Sequence, residues 1–196
     1  MKSFNNLSIP KKYKGHAIAI GNFDGVLLWH LQLIKALQIE AHHAGAAATV
    51  LTFDPHPHEF FNSTTAPPRL STFREKLEQL GKAGVDQVVC LRFNAELASM
   101  SAEEFVEVYL INGLGVRALI VGDDFRFGRD RKGNFRLLQE IGRQANFAVS
   151  SVDTFVVDGH RVSSSRIRQI LQNANFSLAE RLLGRPFSIT ARVAHG

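Results

Sequence analysis

Residues 17–30 read AIAIGNFDGVLLWH, a short apolar run, a turn bounded by glycines and the beginning of a helical pattern. The apolar run over 17–20 predicts a buried strand that ends at Gly21, and the spacing of the later apolar residues predicts a helix over 27–43. A turn between a strand and a helix presents backbone N–H groups at a helix start, where an anion can bind. Taken alone, the turn is better explained by glycines that serve only the chain geometry.

Outward from this segment, short apolar runs alternate with helical patterns along the chain. The apolar runs predict strands over 47–53, 87–91, 118–121 and 148–152. The helical patterns predict helices over 71–83, 101–111 and 134–145, with Ser71 or Thr72 and Ser101 as N-caps. This alternation predicts an α/β fold in which a parallel sheet carries helices on both faces.

Ligands of such sheets bind at the carboxyl ends of the strands. That rule directs attention to three loops, at residues 21–25, 54–58 and 122–128. After Asp153 the pattern changes, and a hairpin through Asp158-Gly159 followed by helices over 164–172 and 177–183 predicts a small C-terminal subdomain. Residues 188–193 have the composition of a strand, although the sequence offers them no evident partner.

The composition is that of a compact domain. With 196 residues, of which 45% are hydrophobic and 21% charged, the chain is long enough to bury a core. The single cysteine, Cys90, lies in a predicted strand, so we expect a small core residue, no disulfide and a reducing compartment. We expect a cytoplasmic protein, because no apolar run approaches the ~18 residues of a membrane span and residues 1–15 lack the apolar core of a secretory signal.

The net charge of +5 and the pI of about 9.7 favour anionic partners. The arginines stand in short groups, at 126–131 and 161–168, rather than in one long tract. This distribution favours phosphate sites in a pocket over a nucleic-acid-binding surface. A basic nucleic-acid-binding module is therefore the least favoured functional hypothesis for this chain. We expect small molecules as partners, with no nucleic acid and no membrane.

Two further loops carry side chains that could contact a ligand. Residues 52–58 read TFDPHPH, which favours a rigid proline-bracketed loop over a metal site because no third ligand is evident; a flap over a flat ring is also possible. Residues 121–128 read VGDDFRFG. A solvated acidic turn is the simplest explanation of that sequence, but phenylalanines on both sides of an arginine in a loop favour a ligand contact.

Residues 162–168 read VSSSRIR, with hydroxyl groups and arginines at a predicted helix start. Such a segment suits a phosphate group, whereas by itself an ordinary serine cap with surface arginines would explain it. With the other loops present, we favour the phosphate site. Gly113-Leu-Gly115-Val-Arg-Ala118 matches the letters of a dinucleotide-binding fingerprint, but it follows a helix and precedes a strand, so it indicates a helix stop and a turn.

In their order and spacing, these four segments resemble the FMN adenylyltransferase (FAD synthetase) domain of the bacterial bifunctional riboflavin kinase/FAD synthetases. The segments RLSTFREKL (69–77), GVD (84–86) and RLLGRPF (181–187) extend the resemblance over nearly the whole chain. It implies a Rossmann-like nucleotidyltransferase fold and the reaction of ATP with FMN, in the presence of Mg²⁺, to give FAD and pyrophosphate. It assigns residues 1–186 to the adenylyltransferase domain and 187–196 to the truncated start of a riboflavin kinase-like module.

The resemblance also implies roles for individual residues. The residues expected to be catalytic are His30, Asn22 and Arg168. Those expected to bind ATP are Gly21, Asn22, Phe23, Asp24, Gly25, His30, Ser164, Ser165 and Arg168. Those expected to bind the flavin are Phe53, Asp54, Pro55, His56, Pro57, Asp124, Phe125, Arg126 and Phe127. Asp124 is also the candidate ligand for Mg²⁺.

Two positions depart from the family signature Gly-Val-His-x-Gly-His. Leu27 replaces the first histidine and Trp29 replaces the glycine, whereas His30 is retained. Loss of one donor aimed at the developing charge typically costs about 10²–10³ in rate, and a large ring can clash with the nucleotide. Two interpretations remain: an FMN adenylyltransferase impaired by Leu27 and Trp29, or a non-catalytic flavin- or nucleotide-binding paralogue or decayed truncated enzyme.

Overall fold

A computed structural model describes residues 1–5 and 14–191, which form an α/β fold around a six-stranded sheet. Its strands are β1 (Lys2–Asn5), β2 (His16–Ile20), β3 (Ala47–Asp54), β4 (Gln87–Arg92), β5 (Val116–Gly122) and β6 (Ala148–Val152). Neighbouring strands pair in parallel in the order β1-β4-β3-β2-β5-β6. Strand β3 lies on one side of β2, and β5 lies on the other side of β2. The strand order therefore reverses between β2 and β5, and a topological switch point lies at the carboxyl ends of these two strands.

Helices surround this sheet, and a small hairpin precedes the last two of them. The helices are α1 (Leu28–Ala44), α2 (Pro57–Phe61), α3 (Phe73–Lys82), α4 (Ala95–Ser99), α5 (Ala102–Phe105), α6 (Phe135–Ala145), α7 (Ser164–Gln172) and α8 (Phe176–Leu183). Helix α5 continues as a π-helix over Val106–Leu114 that ends at the left-handed Gly115. The hairpin consists of β7 (Val156–Val157) and β8 (His160–Arg161). The predicted Rossmann-like architecture, the hairpin and the two C-terminal helices are therefore confirmed.

Local side chains explain where several helices begin. The Thr72 hydroxyl accepts a hydrogen bond from the Glu75 N–H, and the Glu75 carboxylate accepts one from the Thr72 N–H in return. Asn134 and Ser163 accept from the backbone N–H three residues ahead in the same way. Each cap satisfies a donor that the first helical turn leaves without a partner.

Alternate side chains of the strands feed two apolar layers, one on each face of the sheet. One layer packs the sheet against the α5 segment and α6, and the other packs it against α1 and α3. A third cluster joins α7 and α8 to the loop before α1, and its buried members are Leu27, Leu70, Val162, Ile167, Ile170, Ala179, Leu182 and Leu183. The C-terminal subdomain is thereby packed directly onto the segment that follows β2.

The structure differs from the sequence-based expectation at several elements. Residues 188–191 do not form the expected strand, and the rest of that segment lies outside the described residues. An isolated strand would leave its backbone groups without partners, and here the Thr190 N–H instead donates to the Glu75 carboxylate at 2.9 Å. Strand β1 and the short helices α2 and α4 were not expected. Cys90 is buried as predicted, and burial raises the pKa of its thiol to about 11. Within the described ranges, no helix is both long and apolar enough to cross a membrane.

Candidate active site at the switch point of the sheet

The loop between β2 and α1 is held in an unusual backbone conformation. Phe23 has a φ of 49° and Val26 a φ of 41°, in the left-handed region that bulky and β-branched residues rarely occupy. Gly25 has a φ of 78°, and a Cβ built on it would lie 3.0 Å from the Leu70 side chain. Such strain, of order 1–3 kcal/mol per residue, persists where surrounding contacts enforce it and is common at functional sites.

The buried carboxylate of Asp24 joins this loop to two distant segments. It accepts hydrogen bonds from the backbone N–H groups of Leu70 and Ser71 at 3.0 and 3.3 Å. Its Oδ2 also lies 2.5 Å from Nη2 of Arg168 on α7, and the Ser164 hydroxyl donates to the Asp24 carbonyl at 3.1 Å. The first and last of the four sequence segments therefore meet at one place.

A cavity of about 420 Å³ lies between these segments. From the expected ATP-binding set it is lined by Asn22, Asp24, Ser164, Ser165 and Arg168, and from the expected flavin-binding set by His56. His58, which ends the proline-bracketed loop that the sequence singled out, also lines it, and the lining residues that sequence reasoning missed are Glu59, Asn62, Thr65, Ala66 and Pro67. The sequence could have indicated these residues, because they belong to α2 and to the polar, proline-containing loop that follows the carboxyl end of β3.

A buried lysine lies beside His56. Nζ of Lys76, which is 1% exposed, is 3.0 Å from Nε2 of His56. Burial lowers the pKa of Lys76. Burial, together with the charge of Lys76, lowers the pKa of His56 to about 4, so its ring is neutral near pH 7. Lys76 belongs to the FREKL segment, but helical periodicity gave no sign that it points inward.

His30 caps α1 and does not line the cavity. Its Nδ1 accepts a hydrogen bond from the Leu27 N–H at 2.9 Å, and its ring centroid lies 5.0 Å from that of Phe23 and 5.3 Å from that of Trp29. Burial, with contributions from Lys76 and Arg185, lowers the pKa of His30 to about 3. A neutral imidazole that accepts at Nδ1 carries its proton on Nε2, which is therefore the nitrogen able to donate.

The two departures from the family signature both make apolar contacts. Leu27 is 1% exposed and belongs to the third apolar cluster, which joins α7 and α8 to the loop before α1. The indole ring of Trp29 lies against Gly122 at the carboxyl end of β5, so close that a Cβ added to Gly122 would be 2.8 Å from Cζ2 of the ring. The indole ring therefore packs against the end of β5 at the switch point, and its Nε1 is buried without a partner among the described residues.

None of residues 124–127, the expected flavin loop, lines the cavity. The Asp124 carboxylate pairs with Arg161 at 2.7 Å, and Arg126 is exposed. Phe127 is 9% exposed and stacks on Phe125 with the ring centroids 5.5 Å apart, as part of the core.

The remaining expected flavin contacts surround the start of α2. Arg69 bridges Asp54 at 2.8 Å and Glu59 at 2.5 Å, which organises the loop from 54 to 57 that contains Pro55 and Pro57. Phe53 packs edge-on against Phe93 with ring centroids 5.9 Å apart. Of the residues from 53 to 57, only His56 lines the cavity.

The described part of the chain contains no cluster of three or more His, Cys, Asp or Glu side chains suited to a metal ion. Mg²⁺ commonly binds through one or two carboxylates together with substrate phosphates. Asp124, the expected Mg²⁺ ligand, pairs with Arg161 in this structure and remains a predicted contact.

Comparison with known proteins identifies relatives over the full domain. The family model described as FAD synthetase matches residues 9–166. A bifunctional riboflavin kinase/FMN adenylyltransferase from Pseudomonas fluorescens is 48% identical over 189 residues, which cover 96% of this chain and 60% of that protein. The protein of the same description from Escherichia coli K12 is 43% identical over 196 residues, covering 100% of this chain and 62% of that protein. The chain thus spans about 60% of the length of these relatives.

Solved structures support the fold. A protein described as a macrolide-efflux protein from Streptococcus pneumoniae superimposes with a TM-score of 0.81 at 23% identity, covering 95% of this chain and 62% of that one. A pantoate-beta-alanine ligase from Francisella tularensis superimposes with a TM-score of 0.52 at 15% identity, covering 94% and 85% of the two chains. At these identities the likeness concerns the fold alone. The family match and the two relatives, taken with the switch-point geometry, show that this chain belongs to the FAD synthetase family.

Proposed function

We propose that the chain is an FMN adenylyltransferase. In this reaction a phosphate oxygen of FMN attacks the α-phosphorus of ATP, the bond from that phosphorus to the β-phosphate oxygen breaks, and pyrophosphate leaves. A Mg²⁺ ion bound with ATP would offset the negative charge of its phosphates. The observation that carries the proposal is the meeting of the 21–25 loop and the start of α7 at one cavity, in a chain of the FAD synthetase family. Riboflavin phosphorylation is not part of the proposal.

Adenylyl transfer requires alignment of two phosphates and donors aimed at the developing charge. Arg168 supplies such donors, because its bonds to Asp24 and to the Pro68 carbonyl use only part of its guanidinium group. Ser164 and Ser165 stand beside it in the cavity wall. His30 is not among the cavity-lining residues, so its Nε2–H supplies a further donor only after the site rearranges on ATP binding.

Leu27 and Trp29 make the proposed enzyme slow. Leu27 cannot donate a hydrogen bond, and Trp29 covers Gly122 at the switch point, where open α/β sheets bind nucleotides. We propose that ATP has to displace the indole ring before its phosphates can align with the FMN phosphate. Both ATP affinity and turnover are reduced by this arrangement.

The activity is tested by incubating the purified protein with ATP, Mg²⁺ and FMN and measuring FAD by chromatography. The same assay is run on Leu27→His/Trp29→Gly, which restores the family signature. We expect FAD from both proteins, with the rate of the revertant higher by about 10²–10³. The matched control, Leu27→Asn/Trp29→Gly, opens the same space without an imidazole and should recover less. Absence of FAD from the parent and the revertant would refute the proposal.

A second function is favoured by the position of Trp29, namely binding of a flavin or nucleotide without catalysis. Calorimetric titration of the parent with FMN and with ATP distinguishes the two. The binding function requires FMN or ATP to bind the parent while the parent forms no FAD. Equal rates of FAD formation by parent and revertant would exclude it.

A further inference from the structure

Arg185 reaches back from the end of α8 to the loop that follows β2. Its Nη2 donates to the Gly25 carbonyl at 2.6 Å, and its Nη1 donates to the Val26 carbonyl at 3.0 Å and to the Leu183 carbonyl at 3.3 Å. The side chain is half-buried. One guanidinium group thus holds two consecutive carbonyls of a loop that lies 160 residues away in the chain.

Among the loop and turn hydrogen bonds of the described residues, no backbone N–H donates to the Gly25 or Val26 carbonyl, so Arg185 supplies their donors. Gly25 and Val26 both have positive φ, and they precede α1, so their carbonyls lie outside both the strand ladder and the helix. Val26 is β-branched and 1% exposed, which makes this conformation unfavourable without external support. Buried carbonyls without a donor would add to that cost.

The turn that carries Arg185 is packed directly against the start of α1. Gly184 ends α8 with a φ of 72°, and a Cβ added to it would lie 2.6 Å from Cδ2 of Leu28. Leu182 and Leu183 lie in the same apolar cluster as Leu27. These contacts fix the direction in which Arg185 leaves the main chain.

We propose that Arg185 is a positioning residue for ATP: it sets the backbone of residues 21–27 and so aligns the N–H groups that receive the phosphates. This inference rests on the proposed function for its ligand. Arg185 itself bonds carbonyls and does not line the cavity, so it acts through the loop. Lysine cannot replace it, because a single ammonium group lacks the planar fork that spans two carbonyls.

The test compares Arg185→Lys, which keeps the charge, with the matched control Arg181→Lys. Arg181 is exposed and pairs with Asp158 on the surface. We expect Arg185→Lys to weaken ATP binding by about 10- to 100-fold, in line with the cost of small misplacements, while FMN affinity stays within about twofold. Amide hydrogen exchange over residues 21–30 should accelerate, whereas exchange in β4 should be unchanged. Arg181→Lys should alter neither measurement.

Hydrogen exchange tests the role of Arg185 independently of the proposed adenylyltransferase function. If the parent protein binds no ATP, that function is refuted, but the exchange rates still report whether Arg185 holds the loop. Gly184→Ala provides a second variant that keeps Arg185 but pushes its turn away from Leu28, and it should reproduce the faster exchange. Parental exchange rates over residues 21–30 in both Arg185→Lys and Gly184→Ala would overturn the proposal, as would equal weakening of ATP and FMN binding.

Discussion

Nη2 of Arg168 lies 2.5 Å from Oδ2 of Asp24, and this ion pair connects two segments separated by 144 residues. The Asp24 side chain is 3% exposed and that of Arg168 is 15% exposed. The same carboxylate accepts backbone N–H groups from residues 70 and 71. The pair therefore organises the cavity as well as supplying cationic donors to it.

Removing one member of this pair should destabilise the fold. Arg168→Met leaves the Asp24 carboxylate buried without its partner, for which we expect a loss of about 3 kcal/mol in the free energy of unfolding. Urea denaturation measures it. Asp24→Asn/Arg168→Met should lose less than Arg168→Met alone. The control Arg181→Met removes an exposed pair with Asp158 and should cost less than about 1 kcal/mol. Equal losses in the two arginine variants would contradict the assignment.

Trp29 and Gly122 should show strong energetic coupling. Gly122→Ala places a methyl group 2.8 Å from the indole ring, which should destabilise the protein by about 1–3 kcal/mol through overpacking. In a Trp29→Gly background the same substitution should be nearly neutral. A double-mutant cycle on thermal or urea unfolding measures the difference. Additive effects of the two substitutions would show that the ring lies elsewhere.

His16 should make the stability of the fold depend on pH. Burial and then Lys14 lower the pKa of His16 from 6.5 to about 4, and its Nδ1 lies 2.7 Å from the Thr49 hydroxyl. Between these two pKa values the unfolded chain binds more protons at this residue than the folded one, so stability decreases as the pH falls from 6.5 to 4 and is fully present above 6.5.

Through His16, the free energy of unfolding is expected to decrease by about 2 kcal/mol as the pH falls from 7 to 5. His16→Asn keeps a hydrogen-bonding group near the Thr49 hydroxyl but cannot titrate. Urea denaturation at both pH values should therefore show a smaller loss in this variant than in the parent. An identical loss in both proteins would assign the pH dependence to other groups, such as His30.

Replacing Lys76 should change the titration of His56. Lys76→Met keeps the apolar stem of the side chain and removes the positive charge that, after burial, lowers the pKa of His56. We expect the pKa of His56 to rise from about 4 towards its ordinary value. NMR titration of the His56 ring measures it. Lys82→Met, at an exposed position on the same helix, is the control and should leave it unchanged. A fall in the pKa, or no change, would show that the ammonium group does not act on the ring.

Much of the architecture followed from the sequence alone, because strand and helix patterns are local. Alternating apolar runs and helical periods predicted the parallel sheet, and the predicted caps at Thr72 and Ser101 located the starts of their helices within a residue or two. The order of loops at the strand ends indicated the family. Strand β1 escaped notice because Lys2–Asn5 is a short edge strand without a continuous apolar run.

The partners of individual side chains were decided only by the tertiary structure. The strand order decides which loops come together. It therefore decides that Asp24 pairs with Arg168 and that Phe127 lies in the core. The sequence likewise showed that Trp29 replaces a glycine, but not that its ring would lie on Gly122. Local patterns report which apolar residues are buried, whereas the partners of those residues, and the burial of polar ones such as Lys76, are fixed by contacts between segments far apart in the chain.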